Sequence, residues 1–486
     1  MKRNILIKTI ALLLFVGMMI PAITACHRTP KKPNDTTEIG PQTYPYFGGK
    51  NLGDATYNIL NCNRDMWGML CYVSSRDMNG DEINDEIYRR TMWVEEQLRC
   101  ELVETNIDIY ALGSTVRNDA FSGTYSYAAA YVRSQDALSG IVDGTHGQLD
   151  GIQSLHFDED YWTSEIMEAS SLNNRNYIAT SDAHLMGFEG TWCIFFNVNM
   201  LEANGVELPY NMVRDGTWTL DRLIEISRNI STLNGDESWT WDENGNSVYG
   251  YTTIRTGVSK LLYGIGAQYG SKNINDMPYL TCEDESVYNR AQDLAKFVSD
   301  LGPYLYSKGI EHGKFSYLQI FMNGRAAFLG AEIQQGALFR SSDIIYGVLP
   351  YPKYNVDQEE YRSSGLDIDL AVLTISSGYP NKEDIGLIMD ALSYNANKSF
   401  EEIYYSRRLQ YKNNVSNLGD NIEMLNLIRA TRTFDPLVIT GLSGELWQQV
   451  IYSIADGGTN ISSVVQQYKG YSEQMTAQLR RIFQAE

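Results

Sequence analysis

The chain lacks four compact signatures of catalysis: there is no Walker phosphate loop, no HExxH pair, no GxSxG elbow and no dinucleotide glycine fingerprint. Histidine is scarce, with five residues (His27, His146, His156, His184, His312) that show no ligand spacing, and CxxC pairs are missing. A zinc centre is therefore not expected, and neither is a cofactor. Stretches starting at Asp77 and Asp242 imitate the opening of a calcium loop, but they have no glycine at the sixth place and no glutamate at the twelfth. They read as turns, and no metal is expected. Positive charge is short, 39 Lys+Arg against 60 Asp+Glu for a net of -21. Such a surface repels nucleic acid and acidic headgroups, so neither is an expected partner.

A long apolar run is also missing. The unbroken stretch Thr9 to Ile20 is 12 residues, roughly 18 Å as a helix against about 30 Å of hydrocarbon. Lys2, Arg3 and Lys8 precede it, Pro21 breaks it, and the small residues Thr24 and Ala25 follow. This three-part layout reads as a secretory leader over residues 1–25. Ile23-Thr24-Ala25-Cys26 resembles a bacterial lipobox, which makes Cys26 the expected lipidation site and the membrane the expected anchor. Residues 26–45 carry Pro30, Pro33, Pro41 and Pro45 with almost no large apolar side chain and read as a semi-extended tether. Five cysteines remain (Cys62, Cys71, Cys100, Cys193, Cys282), consistent with buried thiols or at most two bridges.

Beyond the tether, strand-like and helix-periodic runs alternate, which argues for α/β layers. "ATYNILNC" (55–62) reads as the opening strand. Ile83, Ile87, Val94 and Leu98 share a helical face that Asp81 or Asn84 would cap. "GTWCIFFNVNML" (190–201) reads as a strand leaving into a turn, and Thr219 as the N-cap of a helix with Trp218 and Leu223 as its hydrophobic staple. Residues 315–340 read as a helix ending at Asn323-Gly324, a short strand through Leu329, and a second helix. "DIIYGVLPYPKY" reads as a strand stopped by Pro350 and Pro352.

Aromatic residues are in excess, with 33 Tyr, 15 Phe and 8 Trp. Flat rings beside polar groups suit the apolar faces of pyranose rings, while carboxylates and amides take the hydroxyls. Trp67, Trp162, Trp192 and Trp447 stand beside expected loops and are the candidate platforms, each of which also fits a core. An acidic pair for glycosidic hydrolysis stays open as an alternative, because 60 carboxylates guarantee coincidental pairs and none can be singled out.

"TWCIFFNVNMLEANGVELP" with "GTWTLDRLIEIS", then "FMNGRAAFLG", then "IIYGVLPYPKY" together resemble the family-1 extracellular solute-binding proteins, the lipid-anchored capture subunits of ABC importers for sugars and oligosaccharides. The resemblance spans roughly residues 50–486. It implies a two-lobed, periplasmic-binding-protein-like (type II) α/β fold with discontinuous lobes and a ligand cleft between them. Matching the segments gives one lobe from 46–186 plus 330–395 and another from 187–329 plus 396–486. The implied protein is not an enzyme; it is a monomer that captures a carbohydrate by cleft closure on the extracytoplasmic face and delivers it to permease subunits. A peptide or another solute is the alternative ligand. "GELWQQVIYSIADG" resembles the maltose-binding helix whose tryptophan stacks on sugar, and Trp447 falls at that place. Two departures argue against a maltose-like ligand: Val198 replaces the usual lysine after Asn197, and Glu332 and Gln334 stand where maltose-type members have aromatics. Glu332 joins the candidate binding residues.

Overall fold

The computed structural model describes residues 44–301, 305–306, 316–400, 404 and 417–484. The leader, Cys26 and most of the tether lie outside the described residues. Among the described residues no helix is long and apolar enough to cross a membrane.

Two sheets organise the chain. The first has the order Ala371–Thr374, Ala129–Arg133, Ala55–Cys62, Cys100–Ile107. Ala55–Cys62, the expected opening strand, runs parallel to both of its neighbours, and Ala371–Thr374 returns antiparallel beside Ala129–Arg133. Ile59, Leu60, Tyr131, Val132, Val372 and Leu373 are buried on both faces, as in sheets covered by helices on each side. One cover is the helix Glu82–Leu98, which buries Ile83, Ile87, Val94 and Leu98. The Asp81 carboxylate caps it, accepting from the Ile83 and Asn84 amides at 3.1 and 3.0 Å.

The second sheet has the order Leu305–Tyr306, Tyr249–Thr252, Ala326–Glu332, Trp192–Asn197, Tyr346–Leu349. Period-two alternation along Trp192–Asn197 sends Trp192, Ile194 and Phe196 into one core and Cys193 and Phe195 into another. Thr219 caps the helix Leu220–Ile230 as expected, its hydroxyl accepting from the Arg222 amide, and Trp218 is fully buried with its indole donating to the Pro350 carbonyl at 3.0 Å. A Ser316/Gln319 capping box starts the helix Tyr317–Met322. Past Glu332 the helix expected there is present and winds as a 3-10 segment, Ile333–Ser341.

The expected lobe boundary at 330 is corrected by strand pairing. Ala326–Glu332 and Tyr346–Leu349 both hydrogen-bond antiparallel to Trp192–Asn197, so the chain stays with the second sheet through Leu349 and rejoins the first only at Ala371. Alternating apolar residues mark Tyr346–Leu349 as a strand but do not say which sheet it joins. Residues near 186–191 and 350–370 therefore run between the two sheets. Helix Lys382–Phe400 adds Ile385, Ile388, Leu392 and Ala396 to the first core. The helices Leu418–Ala430 and Glu445–Ala455 contribute to the cores around the second sheet.

Candidate functional site

The strand ends that face the inter-sheet segments bring together a strip of polar side chains. Arg133 closes a strand of the first sheet, where Ser134 is tied to the crossing segment: its amide donates to the Leu370 carbonyl at 2.8 Å and its hydroxyl to the Asp367 carbonyl at 2.9 Å. The nearly buried Arg133 guanidinium lies 3.4 Å from both Asp136 and Asp369 and 4.7 Å from the centre of the Tyr110 ring. Tyr110 opens the helix Ile109–Ser122 and is 62% exposed, which leaves ring surface open for a ligand.

On the second-sheet side, helix Arg255–Gly264 projects Lys260 into the crossing segment. The Lys260 ammonium donates to the Gly365 carbonyl at 2.7 Å, to Asp367 at 2.8 Å and to the Ser364 hydroxyl at 3.3 Å. Its charge lies 5.8 Å from the Trp192 ring centre and 5.6 Å from that of Tyr263. Trp192 is paired across the strands with Glu332. The helix can approach Trp192 closely because residue 257 is glycine: a Cβ there would lie 2.9 Å from the indole and 1.8 Å from the Thr253 hydroxyl.

Desolvation sets the electrostatics of the strip. Burial pushes Asp369 above the ordinary carboxylate range, Asp367 and Asp136 add to the effect, and Arg133 and Lys260 oppose it. Burial likewise raises Asp136 against the pull of Arg133. Glu332 is raised by burial, countered by its own backbone amide, Gln335 and Lys260. The strip thus holds carboxylates that share two cations and keep acceptor capacity for further donors, an arrangement suited to hydroxyl groups.

A hairpin from the first lobe meets the chain just past Glu332. Asp65–Met66 pairs antiparallel with Met69–Leu70, and Trp67 and Gly68 form the two-residue turn with φ of 53° and 83°. Positive φ at both central positions makes this the primed hairpin turn, in which an asparagine or glycine is usual and a tryptophan costs backbone energy. Trp67 is 43% exposed at the tip. The Gln334 amide, just past Glu332 in the other lobe, donates to the Trp67 carbonyl at 3.1 Å. A Cβ on residue 68 would meet the Gln334 amide oxygen at 3.1 Å. Behind the turn, the Leu70 amide donates to Glu189 at 2.6 Å on the first crossing segment.

Of the five binding residues expected from sequence, Glu332 lies beside Lys260, Trp67 sits at the hairpin tip bonded to Gln334, and Trp192 lies under Lys260 with its ring 2% exposed in the second-sheet core; the other two lie elsewhere. Trp162 is 5% exposed in the first core, its indole donating to Asp390 at 3.0 Å and its ring packed on Phe157. Trp447 is 4% exposed, held between Tyr263 and Tyr269 at 5.2 and 5.3 Å, one layer behind the strip. Neither presents a face, because each ring fills a core. Sequence reasoning missed Arg133, Asp136, Lys260, Asp367, Asp369 and Tyr110. A signal for two of them existed: "GLDIDL" alternates aspartates into a buried strand, and charge at a strand end in an open α/β sheet marks the ligand crevice.

No family model and no curated protein match the sequence. Solved structures do match the fold. The sugar-binding protein MalE of Xanthomonas citri aligns over 89% of this chain and 100% of its own, with a TM-score of 0.59 at 12% identity. The maltose-binding protein MalE of Listeria monocytogenes, determined with maltose, aligns over 87% and 98%, with a TM-score of 0.56 at 15% identity. An ABC substrate-binding protein of the same organism, determined with cycloalternan, aligns over 86% and 98%, with a TM-score of 0.56 at 14% identity. The chain has the two-lobed periplasmic-binding-protein fold.

Proposed function

We propose that this protein captures a sugar or oligosaccharide between its lobes and delivers it to the permease subunits of an ABC importer, acting as a monomer without catalysis. Lipid on Cys26 would hold it on the extracytoplasmic face of the cell membrane. The observation that carries the reading is the strip itself, where Arg133, Asp136 and Asp369 lie beside exposed Tyr110 and Lys260 pairs with Asp367, so that both lobes and the segment joining them contribute. Rings at the mouth and paired charges behind them offer stacking faces and directional partners to a pyranose. Because residues of both lobes contribute, a ligand touching all of them stabilises the closed arrangement over any opened one, which is the differential contact a permease can read. The fold likeness to proteins determined with maltose and cycloalternan supports the same ligand class.

Titration calorimetry against linear and cyclic glucans, sugar alcohols and short peptides tests it. Saturable heat with at least one glycan is expected, together with compaction by small-angle scattering. Heat with peptides alone, or release of reducing ends from a polysaccharide, would overturn the carbohydrate-capture reading.

A further inference from the structure

Cys62 and Cys71 flank the Trp67 hairpin. Cys62 ends the strand Ala55–Cys62, and Cys71 follows Leu70 directly. The Cys71 amide donates to the Arg64 carbonyl at 3.0 Å, continuing the hairpin ladder toward its base. Asn61 clamps the two arms: its side-chain amide donates to the Cys71 carbonyl at 2.6 Å, and its side-chain oxygen accepts from the Cys62 amide at 2.8 Å. Both thiols are free and fully buried in the first core, the Cys71 thiol donating to the Met69 carbonyl at 3.4 Å within the hairpin. The other described cysteines, Cys100, Cys193 and Cys282, are distributed among strands and cores away from this hairpin or on another sheet.

We propose that Cys62 and Cys71 form a disulfide that staples the base of the Trp67 hairpin and sets how well ordered that hairpin is. The oxidant is a disulfide-bearing molecule, a small dithio compound or a thiol oxidoreductase, met outside the cytoplasm. The Cys62 thiolate attacks one oxidant sulfur and expels a thiolate, giving a mixed disulfide. The Cys71 thiolate then attacks the Cys62 sulfur and expels the second oxidant thiolate. Each protein thiol loses one proton, and two electrons pass to the oxidant, which leaves as two thiols.

In the docked hairpin the Cys71 thiol, and less strongly His184, hold the Cys62 thiol below the ordinary range against the effect of burial, whereas Cys71 is pushed up. His184 is itself fixed beside the site, its Nε2 3.2 Å from the Asn61 side-chain oxygen. Because both sulfurs are buried in the folded chain, exchange takes place as the hairpin docks during folding or when it lifts. Once made, the bond closes ten residues, Cys62 to Cys71, around the turn that meets Gln334. The consequence for ligand affinity rests on the carbohydrate-binding reading; the bond does not.

The test uses the full chain, refolded with oxidised glutathione or with a phosphine reductant. Trypsin cuts after Arg64 and so separates the two cysteines, onto Asn51 to Arg64 and Asp65 to Arg76. The expected result is one cross-linked pair of these peptides in the oxidised sample, lighter by two hydrogens than their sum, and its loss on reduction. Glutathione carried separately by each cysteine, or both thiols free to alkylation on unfolding, overturns the proposal. Calorimetry with the tightest glycan should give a Kd about fivefold weaker after reduction, the cost of a less ordered hairpin. Equal affinity of the two forms overturns the ordering role. Absence of any glycan heat counts against the functional reading alone, since the cross-linked peptide is scored without ligand.

Discussion

Replacing Lys260 by methionine removes one half of a buried ion pair, and its consequence can be worked from the contacts. The Lys260 and Asp367 side chains are 4% and 15% exposed, and the ammonium also serves the Gly365 carbonyl and Ser364 hydroxyl. Methionine keeps most of the stem volume and supplies no donor. Asp367 keeps the Ser364 hydroxyl at 3.1 Å and the Tyr263 hydroxyl but loses its cation, and the Gly365 carbonyl loses a 2.7 Å bond. Stranding one partner of a buried pair costs about 3–5 kcal/mol. The 15% exposure of Asp367 places the expectation at the low end, about 3 kcal/mol. Lys260→Met should therefore lower the urea midpoint without changing the slope. The double variant Lys260→Met/Asp367→Leu removes both charges and should recover most of the loss, since apolar replacement of a whole pair is often near neutral. A single-variant loss below about 1 kcal/mol, or a double variant no better than the single, would refute the claim that this pair is desolvated and mutually dependent.

Trp67→Gly should keep the left-handed turn, relieve about 1 kcal/mol of backbone strain, and weaken the best glycan by about tenfold through loss of the ring; chemical denaturation and calorimetry read the two effects separately. Trp162→Ala and Trp447→Ala should each cost about 3–5 kcal/mol of stability, with less than about a twofold change in Kd for the folded fraction, because both rings face cores. For Asp369→Asn the sign follows from the raised carboxyl. The folded state holds that proton more tightly than the unfolded chain, so wild-type stability is full at low pH and falls as pH rises through the folded value. The asparagine variant should match wild type near pH 4, melt higher at pH 7, and bind glycan about tenfold more weakly there. Asp390→Asn should destabilise the first lobe by about 2–4 kcal/mol, since the Tyr44 and Tyr161 hydroxyls, the Trp162 indole, and the His156 amide and imidazole all converge on that buried carboxylate.

How much of this was legible depends on the range over which each feature is decided. Asp81, Thr219 and the stop at Pro350 are local: a side chain satisfies an amide two or three residues away, or a ring withholds one, and the pattern is written in adjacent letters. Sheet membership is not local. Tyr346–Leu349 reads as a strand from its own residues, yet the ladder that assigns it to a sheet joins it to Trp192–Asn197 across about 150 positions of chain. The same divide separates the tryptophans. Composition supplies eight of them and no way to rank them, whereas burial sorts Trp162, Trp192 and Trp447 into cores and leaves Trp67 at a turn.

The turn at Trp67 carries the sharpest conflict between local preference and observed structure. "DMWGML" offers glycine at one of the two positions that need positive φ and a tryptophan at the other. A residue chosen for folding alone would be asparagine or glycine, so the hairpin gives up stability to place a large ring at its tip. Such strain persists only where surrounding contacts hold the backbone in place, and here they come from two directions: Asn61 and the Arg64–Cys71 ladder at the base, and Gln334 and Glu189 from outside the first sheet. Of the outer contacts, Gln334 comes from the other lobe and Glu189 from the crossing segment, while the base contacts lie within the first lobe. On the proposed capture reading, a hairpin fixed at its base and strained at its tip recovers that cost on closure, so the variant that relaxes the tip, Trp67→Gly, should be more stable and bind less well. A variant that lost affinity and stability together would place Trp67 among the packing residues instead, and the ring would then have no claim on the ligand.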